Sequence, residues 1–280
     1  MGMGGVGPRV ARVVSDFDDV TTIRRRDGSS SSGGSVAYDA DLHPGWAIVG
    51  KPNGGYLLAI LARAACDVVD TPDPLAVSAH YLRAPSAGPV EVRAEALRHG
   101  RRVSTSRASI WQGGKPCIEA LVTSGALVHD APIEWNSAPA PTVPPPEDCV
   151  ASYNPHFDVE LFDHIELRVD PVTAPFPVAT GEPVIRFWFR LRDGSDPDVR
   201  TVLLAADSGP PTVFNLERIG WAPTVELTTL VRGLPAPGWL LVETRAHHLA
   251  GGWFDEEAAV WDSTGRLVAQ ARQLALTAES

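Results

Sequence analysis

Cysteine is scarce in this chain: Cys66, Cys117 and Cys149 are the three among 280 residues. They form no Cys-x-x-Cys pair and have no Cys/His spacing of a metal site. An odd number cannot make a complete disulfide set, so reduced thiols are expected rather than a disulfide framework. Positive charge is also in deficit, with 24 Lys+Arg against 34 Asp+Glu and a net charge of −10. That balance argues against nucleic acid as the main partner, because a phosphate backbone needs a basic field. It equally disfavours a general attraction to anionic lipid. A local basic patch, or the amides of a helix N-terminus, can still hold an anionic ligand. No run reaches the roughly 18 apolar residues of a membrane span. The longest candidate, Gly54–Val69, is interrupted by Arg63 and Asp67. Met1–Val14 lacks an apolar core, so no signal peptide is read and a cytoplasmic location is expected. Gly-x-Ser-x-Gly is absent, which excludes the nucleophile elbow of an α/β-hydrolase.

What is present is a globular composition, 44% hydrophobic and 21% charged, with an excess of Gly and Pro at 25 each. Many of these concentrate in a tail and a linker. Gly2–Gly7 fits Gly-x-Gly-x-x-Gly, but no strand precedes it and the dinucleotide reading fails. Residues 1–35 read as flexible, with a short strand or helix near Ser15–Ile23 and a Ser/Gly tract at Asp27–Gly34. Residues 36–130 form a first unit, 131–160 a Pro-rich linker that neither helix nor sheet interior can absorb, and 161–280 a second unit.

Asn53–Val69 is the clearest helix, with Asn53 as N-cap and Gly54 and Gly55 opening it. Its residues are apolar nearly all round, which predicts burial on nearly all sides. Arg63 and Asp67, four apart, are expected to pair on one face. Strands follow at Leu75–Arg83, Val90–Arg98, Val103–Gln112 and Pro116–Val128, with a hairpin turn at Gln112–Lys115. The second half repeats the order: strands His164–Val169 and Val184–Arg192, a helix Asp198–Asp207 ended by Pro210-Pro211, then strands Ala222–Val231, Trp239–Leu249, Trp253–Trp261 and Leu267–Thr277. Ala108-Ser109-Ile110-Trp111 aligns with Ala258-Ala259-Val260-Trp261 at an offset of about 150 residues. A long buried helix followed by antiparallel strands, present twice, is an α+β pattern.

That pattern resembles the double hotdog fold, two long buried helices each wrapped by an antiparallel sheet. Ser78–Pro85, Ala96–Arg102 and Ile110–Pro116 look like the acyl-CoA thioesterase II family, in which Leu-Arg-Pro, Leu-Arg-x-Gly and Gln-x-Gly-x-Pro occur in this order. The resemblance covers roughly 36–130 and 160–277. It implies hydrolysis of a fatty acyl-CoA, with no metal or redox cofactor, and a homo-oligomer. It also implies a catalytic triad, which falls on Asp207, Thr224 and Gln273, with Thr228 as the alternative hydroxyl. A carboxylate can take a proton from water. A hydroxyl and an amide can orient that water. Gly54 and Gly55, at a helix N-terminus, suit the developing oxyanion.

Each residue also has a plain structural reading. Asp207 can be a helix-terminal carboxylate, Thr224 an ordinary strand residue and Gln273 a surface side chain. Gly54 and Gly55 can mark close packing of helix on sheet. Arg98, Arg101, Arg102 and Arg107 suit either CoA phosphates or a solvated edge. The eight tryptophans read mainly as core, with one or two available to line an acyl channel. His247-His248 with Asp255, Glu256 and Glu257 looks like a metal cluster, but adjacent strand residues face opposite ways. Two rival functions stand beside hydrolysis: a non-catalytic acyl-CoA or lipid-binding protein, and a dehydratase using His43 near Gly54.

Overall fold

A helix that is apolar on all sides must be covered on all sides, and that requirement organises the molecule. The computed structural model describes residues 16–28, 35–129 and 131–277. Gly2–Gly7 and residues 29–34 of the Ser/Gly tract lie outside them. The elements run α1 (Asp16–Val20), β1 (Val36–Leu42), α2 (Gly54–Val69), β2 (Asp73–Tyr81), β3 (Gly88–Arg98), β4 (Val103–Gln112) and β5 (Lys115–Gly125). They continue with β6 (Val150–Ala151), β7 (Ile165–Val169), β8 (Val184–Leu191), α3 (Val199–Ala205), β9 (Thr224–Val231), β10 (Leu240–Arg245), β11 (Trp253–Trp261) and β12 (Leu267–Leu276).

The strands form one antiparallel sheet of 14, in the order β1-β3-β4-β5-β2-β9-β12-β11-β10-β8-β7-β6. Arg24–Arg25 extends it beyond β1, and Leu249–Ala250 pairs with β11. Outward from the central β2·β9 pair, the two halves read in the same order: β2, β5, β4, β3, β1 on one side and β9, β12, β11, β10, β8 on the other. The seam is a regular ladder, Glu226 opposite His80 through Leu230 opposite Ala76. The repeat at an offset of about 150 residues therefore places β4 and β11 at equivalent positions. Gly113 and Gly114 both take positive φ in the β4–β5 turn, as a two-residue hairpin requires.

α2 packs on β2, β3, β4 and β5, and on α3. Asn53 caps it by accepting the Tyr56 N–H at 2.9 Å. The second helix departs from expectation. α3 has seven residues, not a length matching the 16 of α2. Asp198 caps its start, and Pro210 and Pro211 prevent continuation. The chain instead makes a 3₁₀ turn, Thr212–Leu216, whose Val213 and Phe214 join a second small core with Ala246, Phe254 and Ala275. Arg63 and Asp67 do not pair. Arg63 bonds Asp18 of α1 at 2.5 Å, and Asp67 accepts from the Tyr38 hydroxyl at 2.7 Å. Arg200 of α3 also bonds Asp18, so α1 ties the two helices together.

β1 is not among the expected strands, and the expected strand Trp239–Leu249 breaks after Arg245. There the His247 and His248 N–H groups donate to Asp255 Oδ1 instead of to a neighbouring strand. The proline-rich segment lies over the second half. The Trp188 and Trp261 indoles donate to the carbonyls of Pro144 and Ala138 at 2.8 and 3.0 Å. Val150 and Ala151 within it form β6 on the edge of β7. The three cysteines are free and buried. Among the described residues no helix is long and apolar enough to cross a membrane.

Candidate active site

The first turn of α2 meets the end of α3 with almost no space between them. A Cβ on Gly55 would stand 2.6 Å from the Leu203 carbonyl oxygen, and one on Gly54 would stand 2.7 Å from Asp207 Oδ2. The close approach is of helix on helix rather than helix on sheet. It brings Asp207, just past the C-terminus of α3, against the N-terminus of α2. The Gly55 N–H donates to Asp207 Oδ2 at 2.7 Å, and the Asn53 amide donates to the Asp207 carbonyl at 2.8 Å. The Tyr81 hydroxyl of β2 donates to the Gly54 carbonyl at 3.0 Å. Thus Asn53, nearly fully buried, caps its own helix through one side-chain atom and clamps the other half through the second.

Burial, helped by the nearby Glu256 charge, pushes the Asp207 carboxyl up to about 7. The Gly55, Asn53 and Gly54 donors pull the other way, as a helix N-terminus should. The amides expected at an oxyanion therefore serve the carboxylate.

The opposite wall comes from the sheet. A β-bulge interrupts β9 between Thr224 and Glu226. Without it, the parity of Leu227, Thr229 and Val231 would turn Thr224 outward. With it, Thr224 faces Ala275 across the ladder and points inward. Its hydroxyl donates to Gln273 Oε1 at 2.5 Å. Gln273 is inward and partly buried, so the surface reading of it does not hold. Thr228 is on the other face, bonded to Ser78 and Glu226, and cannot substitute for Thr224.

Glu256 sits directly opposite Gln273 between β11 and β12. It is 7% exposed. It accepts from Gln273 Nε2 at 2.9 Å and from the Thr212 N–H at 2.8 Å. In the sequence it belongs to the His/Asp/Glu cluster of His247–Glu257, with no role of its own. Its parity with Phe254, Ala258 and Val260, all inward, is the signal that separates it from Asp255 and Glu257. His247 meets Glu257 at 3.2 Å, away from Glu256.

Asp207, Thr224, Glu256, Gln273, Gly54 and Tyr81 line one pocket of about 240 Å³. Phe157, Phe162, Phe176, Phe214, Trp221 and Phe254 supply much of its apolar wall, and Lys51 is also on its lining. Trp221 is thus a tryptophan on the pocket lining, whereas Trp46 is core. His43 is absent from the lining. It accepts from the Gly45 N–H and stands edge-on to His164, which leaves the dehydratase reading without its histidine. The turn carrying Arg98, Arg101 and Arg102 leads into Val103, which pairs with Gly125, and Gly125 pairs with Asp73, four residues past the C-terminus of α2. That is the far end of a 16-residue helix, about 24 Å from Gly54.

Residues 42–125 match the model of the acyl-CoA thioesterase N-terminal domain, and residues 141–277 that of the acyl-CoA thioesterase C-terminal domain. The chain belongs to the acyl-CoA thioesterase II family. An uncharacterized protein of Mycobacterium tuberculosis is 33% identical over 285 residues, covering 93% of this thioesterase-family chain and 97% of the relative. A proposed thioesterase II from Thermobifida fusca is 31% identical, with a TM-score of 0.85 over 96% of this chain and 100% of the other. A hotdog-fold protein of unknown function from Alicyclobacillus acidocaldarius is 22% identical, with a TM-score of 0.83 over 96% and 100%, and it supports the fold. Acyl-CoA thioesterase architecture here is thus a hotdog in both halves, with the second helix reduced to two turns.

Proposed function

We propose that this protein hydrolyses the thioester of an acyl-CoA to the free acid and CoA, with Asp207, Thr224 and Gln273 holding the attacking water. The observation that carries the reading is the meeting of two walls. A half-buried carboxylate with a pKa of about 7 comes from the helix side, and a hydroxyl–amide pair comes from the sheet, in one aromatic-lined pocket. Such a carboxylate is matched to general base duty near neutral pH. Water would donate one hydrogen to the free Asp207 oxygen and the other to Thr224 Oγ, leaving a lone pair aimed at the thioester carbon. Attack forms the C–O bond and passes the first proton to Asp207. Collapse breaks the C–S bond, and Asp207 returns that proton to the departing thiolate. The oxygen charge that develops in between faces the positive end of the α2 dipole, whose first amides remain on Asp207. The aromatic wall suits the acyl chain, and Lys51 suits an anionic group of CoA.

The test is CoA release across a panel of acyl-CoA chain lengths, for wild type and Asp207→Ala. Release by wild type and a loss of about 10²-fold or more in the variant are expected. Unchanged release in the variant would remove Asp207 from the mechanism. Binding of acyl-CoA without release by wild type would establish the non-catalytic binding reading instead.

A further inference from the structure

The geometry points to Glu256 as a positioning residue: its carboxylate locks the Gln273 amide in one of its two orientations, and through it fixes Thr224 Oγ as an acceptor toward the attacking water. The inference rests on the triad reading above and goes one residue beyond it. Both Glu256 oxygens are engaged as acceptors, Oε1 from Gln273 Nε2 at 2.9 Å and Oε2 from the Thr212 N–H at 2.8 Å. An ionised carboxylate has no donor, so Gln273 can only present its nitrogen to it. Its oxygen is then left for Thr224, whose hydroxyl must donate, and does so at 2.5 Å. With its hydrogen committed, Thr224 Oγ offers lone pairs to the pocket. A flipped Gln273 would reverse this. Its nitrogen would donate to Thr224, the hydroxyl hydrogen would turn into the pocket, and it would occupy the lone pair that water needs for attack.

A purely structural role for Glu256 would be to satisfy the Thr212 N–H. That does not require a charge, and burying a carboxylate without function is costly. The substitution Glu256→Gln separates the two roles. The Thr212 N–H is fixed by the backbone, so the oxygen of the new side-chain amide turns to it and the new nitrogen faces Gln273. Gln273 must then flip, which reverses the chain without emptying space. Loss of the charge also relieves Asp207, whose carboxyl Glu256 helps to raise. The titratable groups facing Asp207 are Tyr81 from β2 and Glu256 from β11, with Asp255 beside Glu256. α2, β9 and β12 present it with neutral groups, the Asn53, Gly54 and Gly55 amides, Thr224 and Gln273.

The experiment compares wild type, Glu256→Gln, Gln273→Ala and the double variant on the best acyl-CoA of the panel, with thermal melts alongside. Glu256→Gln is expected to lower kcat by about 10-fold or more with KM changed by less than about 2-fold. The acid limb of its pH profile should move to lower pH. The double variant should be no slower than Gln273→Ala, because Glu256 acts through Gln273. A kcat within about 2-fold of wild type, or losses that multiply in the double variant, would overturn the proposal. Should Glu256→Gln melt below the assay temperature, Glu256→Asp keeps the charge but shortens the reach. It should lower kcat with the acid limb unmoved, and an unaltered kcat would again overturn the proposal. Wild-type activity in Asp207→Asn and Gln273→Ala would instead defeat the triad reading itself, independently of Glu256.

Discussion

Asp207 occupies two conflicting positions at once. It follows the C-terminus of α3, where a negative charge is disfavoured, and it touches the N-terminus of α2, where it is favoured. Burial tips the balance, and the carboxyl rises from 3.8 to about 7. Two consequences share that cause. As the proposed base it works when deprotonated, so kcat/KM should rise with pH and level off above about 7, read from a pH–rate profile. The linked effect on stability has the opposite sign. A group whose folded pKa is raised contributes stability that is full below its unfolded pKa, near 3.8, and is lost as pH rises through about 7. Asp207→Asn should therefore melt higher than wild type at pH 8, by about 1 kcal/mol, with the gain shrinking as pH falls below about 7. Equal melting at pH 8 would mean that the carboxylate is not strained in the native site. The identity of Asp207, Thr224 and Gln273 is legible through family resemblance, by residue type and order. Glu256 is not, because a charged letter in a strand reads as exposed until its parity is checked against the residues either side.

At the level of elements, the decisive feature of the site is an irregularity. Thr224 is at the wrong parity for the pocket, and one extra residue, Val225, corrects it. Deleting Val225 should restore a regular ladder and turn Thr224 to the face of Thr228 and Ser78. The expected result is a folded protein, by circular dichroism and a thermal melt near that of wild type, with kcat reduced as far as in Thr224→Val. Full activity in the deletion would show that the bulge does not aim Thr224. The long helix α2 is readable because its cap, its two opening glycines and its apolar run agree with one another. The repeat makes α3 read as its equivalent. The length of α3 is set instead by Pro210 and Pro211 and by what the following 3₁₀ turn provides, the Thr212 N–H that Glu256 accepts.

The whole molecule is two halves joined by a continuous sheet, with the pocket at their junction. Asn53, Gly55 and Tyr81 come from one half, and Asp207, Thr224, Glu256 and Gln273 from the other. The ladder between β2 and β9, the α2·α3 contact and the Asp18–Arg200 ion pair all cross that junction. The covalent connection carries less of the load. Val128 and Ile133 are exposed, and between them the Ala131 carbonyl accepts from Arg266 of the second half, before Trp188 and Trp261 fasten the chain. A protease site inserted between Val128 and Ile133 and then cut should leave both fragments co-eluting in gel filtration with activity retained. Fragments that separate on cleavage would show that the linker, not the seam, holds the halves together.

The sequence by itself determined the class of the fold, the buried helix, most strands and their turns. Those are local properties, set by the period of apolar residues, by caps and by turn chemistry. Only the tertiary structure decided which side chains meet. It occupied the Gly55 amide with Asp207, separated Arg63 from Asp67, excluded Thr228, admitted Glu256 and carried Arg98, Arg101 and Arg102 to the far end of α2. Each of these depends on contacts between residues distant in the chain or on a one-residue shift of register, and neither leaves a periodic trace in the sequence.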